Sequence, residues 1–262
     1  MNHHHVHHFD MGLWLLFLAY IVSVTGSVVG LACTRCGARA ATERDRLRWL
    51  LMAAIAIGGV GIWLMHFIAM LGFAIPNSVV RYHLGWTVAS AVLAIAAVFA
   101  GLVTIGRTFD LRRLIAGGVI TGLAVALMHY TGMWAMQIQG TIAYDKFLVA
   151  LSFLIAVVAA TAALWFTLVL KSPVLRFAAG LVMGVAVVGM HYTGMAAVRV
   201  TVDRTVPVPG GPEAFSFLFP VFVIGLLALV IPITAIMLAS DRNTDDTDAE
   251  ARAVAATGGR HR

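Results

Sequence analysis

Seven apolar stretches, each long enough to cross a bilayer, constrain this chain more than any other feature. They run approximately over residues 11–32, 49–73, 84–105, 114–137, 147–170, 175–198 and 217–239. A helix needs about 20 predominantly apolar residues to traverse the hydrocarbon core. The stretches are too long for strands and lack period-two alternation, which argues against a membrane barrel. Helices also satisfy every backbone polar group internally, as lipid demands. The expected fold class is therefore all-α, a polytopic membrane protein with seven transmembrane helices. Composition agrees, with 61% of the 262 residues apolar and 11% charged, against roughly 45–50% and about 25% in soluble domains. This excludes an ordinary cytosolic enzyme, a disordered protein and a disulfide scaffold, for which two cysteines are too few.

The basic residues set an expected orientation. Fourteen of the eighteen Lys and Arg residues fall in the first, third and fifth connections and in the tail, among them Arg35, Arg39, Arg107, Lys171 and Arg176. Only Arg81, Lys146, Arg199 and Arg204 fall on the other side. The positive-inside rule then places the N-terminus outside and the C-terminus in the cytoplasm of a multi-pass plasma-membrane protein. The formal charge of +6 is explained by these flanks and calls for no nucleic-acid partner. Residues 1–10 hold no Lys or Arg, so the first span reads as a retained helix rather than a cleaved signal. Three parts are expected: a His-rich external arm over 1–10, a membrane domain over 11–239, and a disordered cytoplasmic tail over 240–262.

Internal repetition is the next constraint. The ends of the second, fourth and sixth helices share one pattern around His66, His129 and His191. Each histidine has glycine seven residues before it, Met65, Met128 or Met190 one before, an aromatic one after, and Met70, Met133 or Met195 four after. The His-to-His steps are 63 and 62 residues. The odd-numbered helices repeat as well, opening with Phe9-Asp10, Tyr82-His83 and Tyr144-Asp145. The unit is a helix pair, so the bundle is expected to be three parallel two-helix repeats plus a seventh helix. Parallel repeats are related by an axis along the membrane normal.

All three histidine helices run in the same direction, so the imidazoles share one depth, on the order of 10 Å below the outer surface at 1.5 Å of rise per residue. The −7 glycine, the histidine and the +4 methionine share one helix face. Ionisable groups inside a bilayer usually face a bundle interior. Imidazole with thioether is a soft-to-borderline donor set, which points to copper; zinc more usually has thiolate or carboxylate partners. The expected ligands are His66, His129 and His191, with Met70, Met133 and Met195. Met65, Met128 and Met190 either ligate or pack. Tyr130 and Tyr192 would hydrogen-bond a group behind the ligands or a bound diatomic, or orient a ligating ring. Asp10, His83 and Asp145 would serve as partners of the ligands or stand at the mouth of the site. Duplication is the competing account, because repeats copy packing residues as readily as ligands.

Met128-His129-Tyr130-Thr131 and Met190-His191-Tyr192-Thr193 resemble the signature of the MHYT domain family, and the resemblance covers the membrane portion from Phe9 to about Ala239. It implies a bacterial integral-membrane sensory domain that binds copper near the outer surface through Met, His and Tyr, and senses oxygen, carbon monoxide or nitric oxide. The first copy departs from it, reading Met65-His66-Phe67-Ile68 without the hydroxyls. Many relatives fuse this domain to a cyclic-di-GMP enzyme or a histidine kinase. Such an output is missing from these 262 residues, so sensing would need a separate cytoplasmic partner.

Other motifs carry less. His3, His4, His5, His7 and His8 form either a metal-capturing tract, a solvated arm or an expression remnant. Cys33 and Cys36 make a lone C-x-x-C without the βαβ context of a redox motif. The chain shows no phosphate-binding loop, no nucleophile–base arrangement and no paired catalytic carboxylates, so it is not expected to be an enzyme. The expected function is a copper-binding membrane sensor. The alternatives are a copper transporter or metal-handling protein, and a membrane oxidoreductase with copper or haem.

Overall fold

Apolar run length sets the number of helices, and polar caps set where they start. The computed structural model describes residues 12–75 and 79–239. The arm over 1–10 (Asp10 included) and the tail over 240–262 lie outside the described residues. Six helices are α1 (Trp14–Arg39), α2 (Glu43–Met70), α3 (Leu84–Ile105), α4 (Leu111–Ala135), α5 (Lys146–Val169) and α6 (Pro173–Ala196). The last, α7, runs over Ala214–Ala228 and resumes over 230–239 after a break at Leu229. Helix ends overrun the apolar runs. Helix α2 starts at Glu43, ahead of its apolar run, because Thr42 caps it by accepting from the Asp45 N–H at 3.1 Å. Asp110 caps α4 in the same way, accepting from the Arg113 N–H at 3.0 Å.

Successive helices from α1 to α6 pack on one another, and α1 also packs on α6, so six helices close into a ring. Helix α7 lies outside against α2. The hairpins α1–α2, α3–α4 and α5–α6 are the three repeats, which leaves α2, α4 and α6 alternating around the ring. Polarity is arranged for lipid. Val88, Val92, Leu154, Val158 and Val185 are exposed, while Ser23, Ser27, Ser90, Thr121 and Ser152 are buried. Small and hydroxyl residues inside let helices approach without a hydrophobic driving force. Gly122 shows how closely: a Cβ there would lie 2.4 Å from the Val157 Cα of α5.

The first repeat is built differently in its middle. Residues Ile55–Leu64 of α2 form wide π-helical turns, which are rare and accommodate extra residues in a helix. They shift the glycine register. Gly122 faces Ala156 and Val157 of α5, and the residue facing the matching pair Ala94 and Ile95 of α3 is Gly58, with a would-be Cβ 2.6 Å from the Ala94 carbonyl oxygen. Gly59, which aligns with Gly122 by distance from the histidine, meets only the Ile95 side chain, at 3.5 Å. One residue is therefore inserted between glycine and histidine in this copy. Gly58→Ala is expected to destabilise the protein by about 1–3 kcal/mol through overpacking. Gly59→Ala, with no such clash, is expected to change stability by less than about 1 kcal/mol. Melting temperatures of the two purified variants separate the registers.

Four short strands roof the end of the bundle where α2, α4 and α6 finish. Strand β1 (Arg81–Tyr82) pairs antiparallel with β2 (Met136–Gln137), and β3 (Gly140–Tyr144) with β4 (Val198–Val202). Strand β4 alternates buried Val198 and Val200 with exposed Arg199 and Thr201, a period-two pattern too short to stand out beside the spans. Gly140 has φ 144°, and a Cβ there would fall 2.0 Å from the Thr201 carbonyl oxygen, so the pairing requires glycine.

Candidate metal centre

Helices α2, α4 and α6 each deliver one imidazole to the bundle axis. His66, His129 and His191 are each 1% exposed. The Nδ1 atom of His66 lies 3.0 Å from that of His191 and 3.2 Å from that of His129. Ring centroids are 4.9, 4.9 and 5.2 Å apart, and the ring planes cross at 79–82°, like propeller blades. Among the described residues this is the one cluster of three or more His, Cys, Asp or Glu whose donor atoms converge.

The outer edges of two rings are seated on glycine. A Cβ on Gly132 would lie 2.5 Å from His66 Nε2, and one on Gly194 would lie 2.4 Å from His129 Nε2. Each glycine stands three residues after its own histidine, so the motif of one helix carries the seat for the ring of the preceding copy. The corresponding residue in the first copy is Ala69.

This arrangement fits a metal ion. A neutral imidazole nitrogen either donates or accepts, never both. Among three nitrogens meeting at one point, two must be of the same kind, and one pair is then repulsive. An ion on Nδ1 would leave the proton on Nε2, and the Nε2 atoms of His66 and His129 are buried without a hydrogen-bond partner, a cost of about 1–3 kcal/mol each that the metal bonds would have to offset. A cation between the Nδ1 atoms takes all three lone pairs at once, which no distribution of protons achieves. Tetrahedral metal–nitrogen bonds of about 2.0–2.1 Å imply nitrogen separations of about 3.3 Å, close to the observed 3.0 and 3.2 Å. The site departs from the usual pattern in one respect: ligating histidines normally donate their other N–H to an oxygen, whereas here glycine backbone and packing hold the rings.

The six methionines fall in three clusters. Met70, Met133 and Met195 lie buried in one apolar cluster with Phe67, Tyr82, Val198 and Val200, beneath the strands. Met65 packs in a second cluster with Leu64 and Ile68. Met128 and Met190 belong to the large central core. The aromatic after each histidine stands edge-on to it: Phe67 on His66 at 4.9 Å, Tyr130 on His129 at 4.9 Å, and Tyr192 on His191 at 5.0 Å. The ring contact is common to all three copies, so phenylalanine serves in the first. The Tyr130 hydroxyl is hydrogen-bonded to Ser152 of α5 at 2.8 Å. In the first repeat the Trp63 indole N–H donates to the matching Ser90 at 2.9 Å. The motif threonines turn to their own helix, Thr131 donating to the Leu127 carbonyl and Thr193 to that of Gly189.

The polar residues at the helix starts act as caps. Asp145 accepts from the N–H groups of Phe147 and Leu148 and pairs with Arg199 at 3.1 Å, and these contacts, Arg199 foremost, hold its carboxyl below the ordinary range. His83 caps α3 through Nδ1, 3.4 Å from the Trp86 N–H. Sequence reasoning did not find Trp63 or the seating role of Gly132 and Gly194. The +3 glycine was visible in two copies, but only coordinates show what lies against it.

A repeat-built, seven-helix membrane domain with a buried histidine centre is the class that fold and site define. The chain matches the model of the MHYT family over residues 59–118 and 122–180, under the description "Bacterial signalling protein N terminal repeat". Among curated relatives it is 43% identical over 165 residues to the bifunctional diguanylate cyclase/cyclic di-GMP phosphodiesterase MucR of Pseudomonas aeruginosa, covering 61% of this chain and 24% of that protein. It is 37% identical over 171 residues to the cyclic di-GMP phosphodiesterase NbdA of the same organism, covering 61% and 21%. It is also 30% identical over 225 residues to the signaling protein YkoW of Bacillus subtilis, covering 82% and 27%. The chain thus spans about a quarter of the length of the relatives it matches. No solved structure matches it.

Proposed function

We propose that this chain is a membrane sensor module that holds one copper ion between His66, His129 and His191. The observation that carries this reading is the meeting of three buried Nδ1 atoms with no carboxylate or thiolate among them. Neutral imidazoles suit copper in either oxidation state, and the buried thioethers of Met70, Met133 and Met195 suit Cu(I). Met65, Met128 and Met190 are assigned to packing. Bound copper would supply a redox-active centre able to take a diatomic ligand. An apolar cavity of about 60 Å³ borders this level, lined by Ile62, Val125, Ala156, Val187 and Met190. Dry apolar cavities accept small apolar guests. Its largely apolar lining supports oxygen, carbon monoxide or nitric oxide as the signal.

The arginine-rich end faces the cytoplasm by the positive-inside rule. That orientation puts the N-terminus outside, the C-terminus in the cytoplasm and the histidine centre in the outer leaflet of a bacterial plasma membrane. Residues 11–239 form the sensory domain, flanked by the His-rich arm and the polar tail. The signal leaves through the cytoplasmic end to a separate partner. Relatives named for cyclic di-GMP turnover support an output of that chemistry, with no catalysis in the membrane bundle itself. Metal analysis and X-ray absorption on protein expressed with ample copper test the reading. One copper per chain with nitrogen and sulfur neighbours is expected, together with a spectral change when carbon monoxide meets the reduced protein. A copper-free protein, or a Soret band from haem, would overturn it.

A further inference from the structure

At the end of the bundle away from the imidazoles, helices α1, α2, α6 and α7 enclose a crevice of about 870 Å³. Five cations line it: Arg35 and Arg39 from α1, Arg48 from α2, Lys171 from the α5–α6 link, and Arg176 from α6. Asp45 is the one acid among the lining residues. It is already engaged, by Arg48 at 3.2 Å and by the Thr42 hydroxyl at 2.7 Å. Among the described residues, Arg35, Arg39, Lys171 and Arg176 pair with no carboxylate, whereas Arg46 and Arg107 at the same end both pair with Glu43. The Arg35 Nε atom is buried without a hydrogen-bond partner. Arg176 lines the same crevice as Arg35 and Arg39, from the opposite helix. A topology signal needs cations near the membrane end, but it does not need them gathered around one crevice with a buried guanidinium nitrogen unused.

We propose that this crevice binds a phosphate-bearing anion. Guanidinium groups match phosphate oxygens with paired N–H donors, and basic pockets between membrane helices are suited to anionic headgroups. Trp49 and Ile236 supply an apolar wall. That wall favours an amphiphile, the headgroup of an anionic lipid, over a free phosphate. The inference is independent of copper. It assigns the arginine end a ligand whose occupancy would bear on α1, α2 and α6 together, and α2 and α6 also carry two of the three imidazoles.

The test uses the full chain in dodecyl maltoside. Native mass spectrometry measures retention of phosphatidylglycerol and of phosphatidylcholine, and calorimetry measures binding of inorganic phosphate. Arg35→Gln with Arg176→Gln is the disrupting pair. Arg112→Gln with Arg113→Gln removes the same charge from the exposed start of α4 and is the control. Loss of two charge-assisted contacts should weaken binding by at least about tenfold. The wild type and the control should retain one phosphatidylglycerol, the disrupting pair should lose it, and phosphatidylcholine should be held equally weakly by all three. Phosphate heat that the disrupting pair abolishes, without lipid preference, would support the same site with a soluble ligand. Equal losses in both pairs, or neither lipid preference nor phosphate heat in the wild type, would overturn the proposal. If the disrupting pair loses helical circular dichroism, Arg39→Gln with Lys171→Gln replaces it under the same criteria.

Discussion

His66→Ala, His129→Ala and His191→Ala are each expected to lose metal affinity by more than the roughly 10–100-fold that removal of an outer-shell partner costs. The three donors come from three different helices, and a copper or zinc ion left with two imidazoles in an apolar interior has no carboxylate or thiolate nearby to replace the third. The expected result is copper at well under one equivalent in every variant, read by elemental analysis after identical purification. Tyr130→Phe is the matching control. It removes the hydrogen bond to Ser152, at about 0.5–1.5 kcal/mol, but keeps the ring against His129, as Phe67 does for His66. Copper should stay near the wild-type level there. Copper retained in all three histidine variants would show that the imidazoles meet for packing alone.

The contrast between histidine and tyrosine also shows what a sequence can carry. The helix number followed from run length, because only a helix of that length satisfies its backbone in lipid. The meeting of His66, His129 and His191 followed from repetition: three parallel copies at equal depth have an axis, and residues on the inward face reach it. What did not follow was set by contacts between copies. The glycine alignment failed at Gly59 because the π-helical turns over Ile55–Leu64 insert a residue that spacing alone hides. The +3 glycines Gly132 and Gly194 each meet an imidazole from another repeat, which no spacing within one helix reveals. The strands escaped notice because five residues such as Val198–Val202 carry little signal against spans four times longer. Asp145 and His83 stood out by repetition, and repetition alone does not distinguish a helix cap from a partner of the site. The arginines were read as topology signals one by one, and their gathering around a crevice depends on how α1, α2, α6 and α7 pack.

The glycine seats lead to the second large effect. Gly194→Ala would place a methyl group 2.4 Å from His129 Nε2, and Gly132→Ala one 2.5 Å from His66 Nε2. Neither distance is tolerable, so in each case the ring must move. Helix propensity favours alanine by about 1 kcal/mol over glycine, so the helices themselves are not weakened. The displaced group is a side chain free to rotate about two bonds, and its displacement moves Nδ1 out of the 3.0–3.2 Å arrangement at the axis. Donor geometry is thus degraded while the fold is kept. Copper affinity is expected to fall by about 10–100-fold, the range for groups that orient a ligand, with melting temperature and helical circular dichroism near wild type. Competition with a copper chelator measures the first, and thermal denaturation the second. A matched substitution at Gly189, where a Cβ meets nothing within 4 Å, should change neither quantity. Because Gly189 lies on the same helix as Gly194 and only two residues before His191, unchanged copper binding there beside weakened binding at Gly194 would tie the effect to the ring that Gly194 seats, and equal loss at both would trace it to α6 as a whole.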